Sequence, residues 1–204
     1  MTPPGPLTGG QRLLLAALFL ASLAVRLPRL DAPFTGLCEL DAAIYAQEFR
    51  NAHRHGFAAT GGWPCRLPGR WQPGEPPGHH ATHWPAALWL NVLFQKAVGV
   101  GAAPMPGWSV RAVSVLAGAL TPLLLFLIVR RLADERRAWI AAAIGAVLPS
   151  AVYFSQAVSC HLPLMLFFSL AAFLAYLRWR TGEGGWAAFA GILMVSLGCL
   201  WEAF

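Results

Sequence analysis

Apolar residues run through this chain in long blocks, without the strict alternation of a half-buried strand, so helices that are apolar on every side are the first expectation. No charged residue falls between Ala112 and Val129 or between Ala138 and Leu177. A helix needs about 20 mostly apolar residues to cross about 30 Å of hydrocarbon. Leu13–Leu30 supplies a first span, preceded by a Pro/Gly-rich start and Arg12. Its apolar heart, Leu13–Val25, has the size of a signal-peptide core, but no A-x-A cleavage pattern follows, so it is taken as an uncleaved span. Arg26 and Arg29 are expected to snorkel to the interface as that helix ends. Ala112–Val129 is a second span. The 40 uncharged residues of Ala138–Leu177 would make roughly 60 Å of helix, hence two spans with a turn near Ser155–Pro163. Trp186–Trp201 begins a fifth.

The run Pro85–Gly101 is apolar but carries Asn91, Gln95 and Lys96, with Trp84 and Trp89 at its start and glycines at Gly99 and Gly101. A helix lying in the interface fits it better than a span. The topology then closes. The N-terminus, Arg130–Arg137 (RRLADERR) and Arg178 with Arg180 fall on the cytoplasmic side, as the positive-inside bias requires. Residues 31–107 become one long extracytoplasmic loop, and residues 108–204 hold spans two to five. The expected fold is therefore all-α: a polytopic helical membrane protein with about five transmembrane helices and juxtamembrane helices in its first loop. Within that loop Asp41–Phe57 has Ala42, Tyr45, Ala46, Phe49 and Ala52 on one face, the pattern of an amphipathic helix. Gly61–Gly78 is Gly/Pro-rich irregular loop, and no internal repeat is visible.

Composition narrows the function classes. Charged residues are 12% of the chain, against roughly 25% in soluble proteins; apolar residues are 57% and the mean hydropathy is +0.54. A soluble enzyme, a disordered tail, a nucleic-acid-binding module and a disulfide scaffold are all excluded. The net charge of +6 comes from 15 cations, all Arg except Lys96, many at the ends of apolar runs. They serve topology, and no nucleic acid partner is expected. Cys38, Cys65, Cys160 and Cys199 have no zinc spacing. Cys38 and Cys65 share the first loop and could pair, with free thiols the plainer state.

The polar chemistry gathers in the first loop, which holds five acids, five cations and five of the six histidines. Glu39-Leu40-Asp41 stands just beyond the first span. A carboxylate there can act as general base toward a hydroxyl, while helix capping by Asp41 is the plainer alternative. His79, His80 and His83 could suggest a metal, but no acid follows them and Glu75 is separated by two prolines. No cofactor is expected, a divalent ion being left open; phosphate contact or proton transfer by His83 is the sharper option against a solvated loop. Arg111 opens the second span as a snorkelling anchor or a lipid-phosphate ligand, and His161 lies at the turn between spans three and four. Pro122 and Pro149 should kink their spans.

Taken in order, these elements resemble a known group. Arg26-Leu27-Pro28 followed by Glu39-Leu40-Asp41-Ala42-Ala43-Ile44-Tyr45-Ala46, then His83-Trp84-Pro85 with Leu88-Trp89-Leu90, then Val110-Arg111-Ala112-Val113-Ser114 through Arg130-Arg131-Leu132 and Pro149 through Ser155-Gln156, are similar to the motifs of GT-C fold glycosyltransferases that use polyprenyl-phosphate sugars. These are the protein mannosyltransferase and aminoarabinose transferase type, with bacterial Rgt-like enzymes among them. The resemblance implies an integral protein of the bacterial inner membrane. Its substrates would be a polyprenyl-phosphate-linked sugar and a lipid, glycan or protein acceptor. Asp41 would be the base of an inverting transfer, Glu39 a possible second acid, and His83, Arg111 and His161 would bind the lipid phosphate or donor. The sequence departs from the pattern at Ala42, where many members have a second acid, at His161, where some have Asp, and at Glu202, near a frequent Lys. The chain resembles the N-terminal part of a longer enzyme, a fragment expected to be inactive alone. The rival readings are a transporter or flippase component and a non-catalytic membrane subunit. Spans almost free of ionisable groups argue against transport.

Overall fold

The computed structural model describes residues 4–34, 39–59, 61–65, 86–103, 105–157 and 161–200, with the backbone alone described at 39–42, 157, 161, 199 and 200. All regular structure among them is helical: α1 (Gly9–Ala24), α2 (Glu39–Ala59), α3 (Ala86–Ala97), α4 (Gly107–Leu132), α5 (Glu135–Val147), α6 (Pro149–Ala157), α7 (His161–Arg180) and α8 (Trp186–Leu200). By length and composition α4 and Leu162–Arg180 can each cross a membrane, the bent pair α5–α6 has the apolarity of a broken span or a re-entrant loop, and Gly9–Ala24 and Trp186–Gly198 are shorter apolar helices. The chain is a polytopic helical membrane protein.

Local chemistry sets the helix ends. Thr8 opens α1 with a capping box, its hydroxyl accepting from the Gln11 amide at 3.3 Å while the Gln11 side chain accepts from the Thr8 amide at 2.9 Å. The helix stops at Ala24, short of the expected Leu30. Pro28 disfavours helical geometry at Leu27, and residues 25–31 continue as turns. Pro122 lies inside α4, which stays one 26-residue helix through it; Thr121 donates its hydroxyl to Ala117 O at 2.8 Å beside it. Pro149 acts differently. Leu148 leaves the helical region (φ −55°, ψ 118°) and α6 departs from α5 at 48°.

The apolar helices alternate in direction around α4, which touches α1, α5, α6 and α7, while α8 packs on α7. At one end the start of α4 lies beside residues 31–32 that follow α1. At the other, Arg130 Nη2 donates to Gly5 O at 2.9 Å, and Arg131 donates to Glu183 between α7 and α8. A core of Leu15, Phe126, Ala138 and Ala142 closes this arginine-rich end. The outward faces remain apolar: Leu13, Leu20, Ile144 and Met194 are more than half exposed, a surface that suits lipid and would aggregate in water.

Candidate active site

At the other end, α2 and α3 pack over the start of α4. The periodic face of α2 is buried as its spacing predicts: Tyr45, Ala46, Phe49 and Ala52 meet Ala87, Leu88 and Val92 of α3, Val110 and Ala117 of α4 and Leu164 of α7. The helix is broken at Gly56, whose φ of 78° an L side chain rarely adopts. At 12 residues, α3 is about 18 Å long and far short of a span. Its Asn91 and Gln95 side chains are buried, whereas Trp89, Leu93 and Lys96 are exposed.

A layer of polar groups runs through this packing. Gln95 Nε2 donates to Ser109 O at 3.2 Å, which leaves Gln95 Oε1 to accept from His53 Nε2 at 3.0 Å. Asn51 Nδ2 donates to Cys65 O at 2.8 Å, and Cys65 is a buried free thiol. Trp89 Nε1 donates to Gly62 O at 2.8 Å. Lys96 Nζ sits 5.3 Å above the Phe57 ring. Hydrogen bonds and a cation–π contact therefore join α2, α3 and α4 in addition to their apolar faces.

The segment between α1 and α2 is pinned by Arg111. Sequence reasoning expects an anchor reaching outward or a phosphate ligand; instead the side chain is 1% exposed. Its Nη1 donates to Leu30 O at 3.1 Å and Ala32 O at 2.6 Å, and the guanidinium lies 4.4 Å over the Phe34 ring. The Trp108 amide adds a bond to Asp31 Oδ1 at 3.3 Å. Gly107 permits this approach, since a Cβ there would lie 3.3 Å from Arg111 Nη1 and 3.4 Å from Asp31 Oδ1. Through Nη1 the side chain tethers the chain leading toward α2.

Arg26 was expected to snorkel, yet it is fully buried. Its Nη1 donates to Ser22 O and Ser22 Oγ, each at 2.7 Å, and to Ala146 O at 2.9 Å, and its Nε to Ser155 Oγ at 3.1 Å. It points inward because the bend at Leu148–Pro149 exposes a carbonyl that needs a donor. Hydropathy cannot show this; Pro149 in an apolar run was the available clue. Glu48, 1% exposed on α2, was also missed, although it stands seven residues after Asp41 on the same helical face.

Among the remaining candidates, Glu39 and Asp41 fall in the first turn of α2, so Asp41 is inside the helix and is not its cap. Acidic residues there favour the positive end of the helix dipole. Their side chains, and that of His161 at the first position of α7, are outside the described residues. His79, His80 and His83, Cys38, Cys160 and Glu202 lie outside them altogether. The described parts thus bring a carboxylate-bearing helix start and a tethered entry segment to the end of the bundle where α7 begins.

Residues 80–201 match the family model of dolichyl-phosphate-mannose-protein mannosyltransferase. The matched stretch contains His83, Arg111 and His161, and Glu39 and Asp41 precede it. Neither the curated proteins nor the solved structures gave a match.

Proposed function

The chain belongs to the dolichyl-phosphate-mannose-protein mannosyltransferase family, GT-C type membrane glycosyltransferases that use a lipid-linked sugar, and on that premise we propose that it transfers a sugar from a polyprenyl-phosphate carrier to a hydroxyl of a lipid, glycan or protein. Transfer occurs on the face where α2 and α3 lie. That face is extracytoplasmic, the N-terminus is cytoplasmic, and the host membrane is a bacterial plasma membrane. All five apolar segments cross, with α5 and α6 as one bent crossing.

Asp41 takes the proton of the acceptor hydroxyl as its oxygen attacks the anomeric carbon. The bond from that carbon to the phosphate oxygen breaks, the polyprenyl phosphate leaves with the electron pair, and configuration inverts. Donors aimed at the departing phosphate stabilise its growing charge; His83 and His161 are the residues for this role. Glu39 is the reserve acid, and Arg111 acts by holding the segment that delivers α2.

The family match is the observation that carries this reading. Its test is Asp41→Asn, assayed with radiolabelled dolichyl-phosphate mannose and a hydroxyl-bearing peptide. Asparagine keeps the size of the side chain, whereas general-base catalysis contributes roughly 10²- to 10⁴-fold. Turnover should fall by about that factor with helicity unchanged. Near-normal turnover would remove Asp41 from the role, with Glu39→Gln the next variant to make.

A further inference from the structure

The bend between α5 and α6 leaves a backbone problem in an apolar place. In an unbroken helix Ala146 O would accept from the amide of residue 150, and Gly145 O would accept from residue 149, which is a proline without an amide hydrogen. The break at Leu148 ends the ladder, and α6 restarts with Val152 N donating to Leu148 O at 3.0 Å. Unpaired carbonyls inside a membrane bundle cost several kcal/mol each. Arg26 answers from the far end of α1, bonding Ala146 O before the break and Ser155 Oγ after it. Gln156 adds the reverse tie, its Nε2 donating to Val25 O at 3.2 Å.

Packing does not hold the bend from every side. A cleft of about 480 Å³, lined by Gly118, Thr121, Leu148, Phe154 and Leu166 with Arg26 at its wall, separates the bend from α4 and α7. α4 comes close at two places: a Cβ at Gly118 would lie 2.6 Å from Ser155 Cβ and 3.2 Å from Arg26 Nε, and a Cβ at Gly145 would lie 2.7 Å from Leu125 Cδ1. The bonds of Arg26 bridge the break from both sides. Every acceptor it uses is neutral, a costly way to bury a cation, and ionisable groups at such depth mark function by default.

We propose that Arg26 is a positioning residue for the transfer. It clasps the α5–α6 break to the exit of α1, so that the start of α2 with Asp41 keeps a fixed spacing from the start of α7 with His161. This rests on the proposed function, whose base and phosphate-binding groups lie on those two segments. Misplacing reacting groups by about 1 Å can cost roughly 10²-fold in rate.

The experiment uses the full chain in lipid nanodiscs, with radiolabelled dolichyl-phosphate mannose and a hydroxyl-bearing peptide as probes. Arg26→Lys keeps the charge but not the fork, and Gly118→Ala keeps every donor and crowds the clasp. Both should lower kcat by roughly 10²-fold with the donor KM little changed, and spin labels at the exposed Ala43 and Phe154 should report a broadened distance. A purely structural role would instead reduce the amount of folded protein and leave kcat per folded molecule alone. If Asp41→Asn abolishes turnover while both variants keep normal kcat, the positioning role is wrong and the proposed function survives. If Asp41→Asn is neutral, Asp41 leaves the base role and the kcat of the two variants still decides the clasp; where the wild type gives no transfer, the label distances decide: an unchanged distribution overturns the clasp, a broadened one supports it. Should Arg26→Lys fail to accumulate, Gly118→Ala decides in the same way.

Discussion

Arg111 and Arg26 bury the same group in different settings, and each can be tested singly. Removing Arg111 strands the carbonyls of Leu30 and Ala32; hydrogen bonds from a charged donor contribute about 1.5–3 kcal/mol. Arg111→Ala should therefore lower unfolding stability in mixed micelles by about 3 kcal/mol, with Arg111→Lys recovering part. A full-strength Arg111→Ala would mean the tether is redundant. Gly118→Ala should cost about 1–3 kcal/mol through overpacking, while Gly191→Ala, where nothing lies within 4 Å of the new Cβ, should be neutral or slightly stabilising in helix α8. Equal effects at the two glycines would sink the close-approach account. Neither arginine was legible as buried. A cation at a helix end reads as topogenic or lipid-facing, and what turned these two inward are backbone acceptors far away in sequence, 120 residues in the case of Ala146.

Among the elements, α2 was the most legible, because its apolar positions repeat at helical spacing and one face is buried. Its start was not, since a favoured capping residue at Asp41 hides a helix that begins at Glu39. In α3 the length was readable but the orientation was not: Asn91 and Gln95 are fully buried while Leu93 is 56% exposed, because Gln95 bridges His53 and Ser109 and Asn91 Nδ2 bonds Ala87 O of its own helix. The bend at Pro149 leads to a prediction at this scale. Pro149→Ala restores an amide and permits a continuous helix, so labels at the exposed Ile140 and Phe154 should move apart; an unchanged distance would show that the bend is imposed by packing. The turn joining α7 to α8 gives a pH test. Hydrogen bonding from Arg131 lowers the Glu183 pKa below its ordinary value, as do the nearby cations Arg131 and Arg178. A carboxylate with a lowered folded pKa stabilises above its unfolded pKa of about 4.3, and that stability is lost as pH falls through the folded value. The melting temperature of the wild type should thus drop more than that of Glu183→Gln upon acidification, and the gap should shrink in high salt. Parallel curves would leave the ion pair without thermodynamic weight.

For the whole molecule, alternation of the helices about α4 sends the arginine-rich end and the α2–α3 end to opposite faces. With native cysteines removed, a cysteine at Ala102 or Lys96 should react with an impermeant reagent from one side of sealed vesicles and a cysteine at Ala133 only from the other. Labelling of Ala102 from the cytoplasmic side, with Ala133 labelled from the outside, would make Pro85–Gly101 a crossing and displace the candidate site. Charge-free runs made the central crossings readable. The first and last helices were harder: α1 ends early at the Pro28 turn, and α8 is a short apolar helix. Family membership was readable from the order of weak motifs, since each of them depends on a neighbour that the fold supplies.

The clasp at Arg26 also governs timing. During synthesis α1 is made about 120 residues before Ala146, which at about 5–20 residues per second leaves a wait of roughly 6–24 s. Throughout that interval the guanidinium has no α5 carbonyl to bond, and drawing an arginine from the interface to the depth of a helix centre costs about 2.5–3.5 kcal/mol. The newborn α1 should therefore ride high, with Arg26 kept at the headgroups, and sink to its final depth only when the bent pair arrives. Membrane insertion of this protein then has a late step written into the second residue after α1, and an interruption of synthesis before Pro149 would leave the first helix shallow.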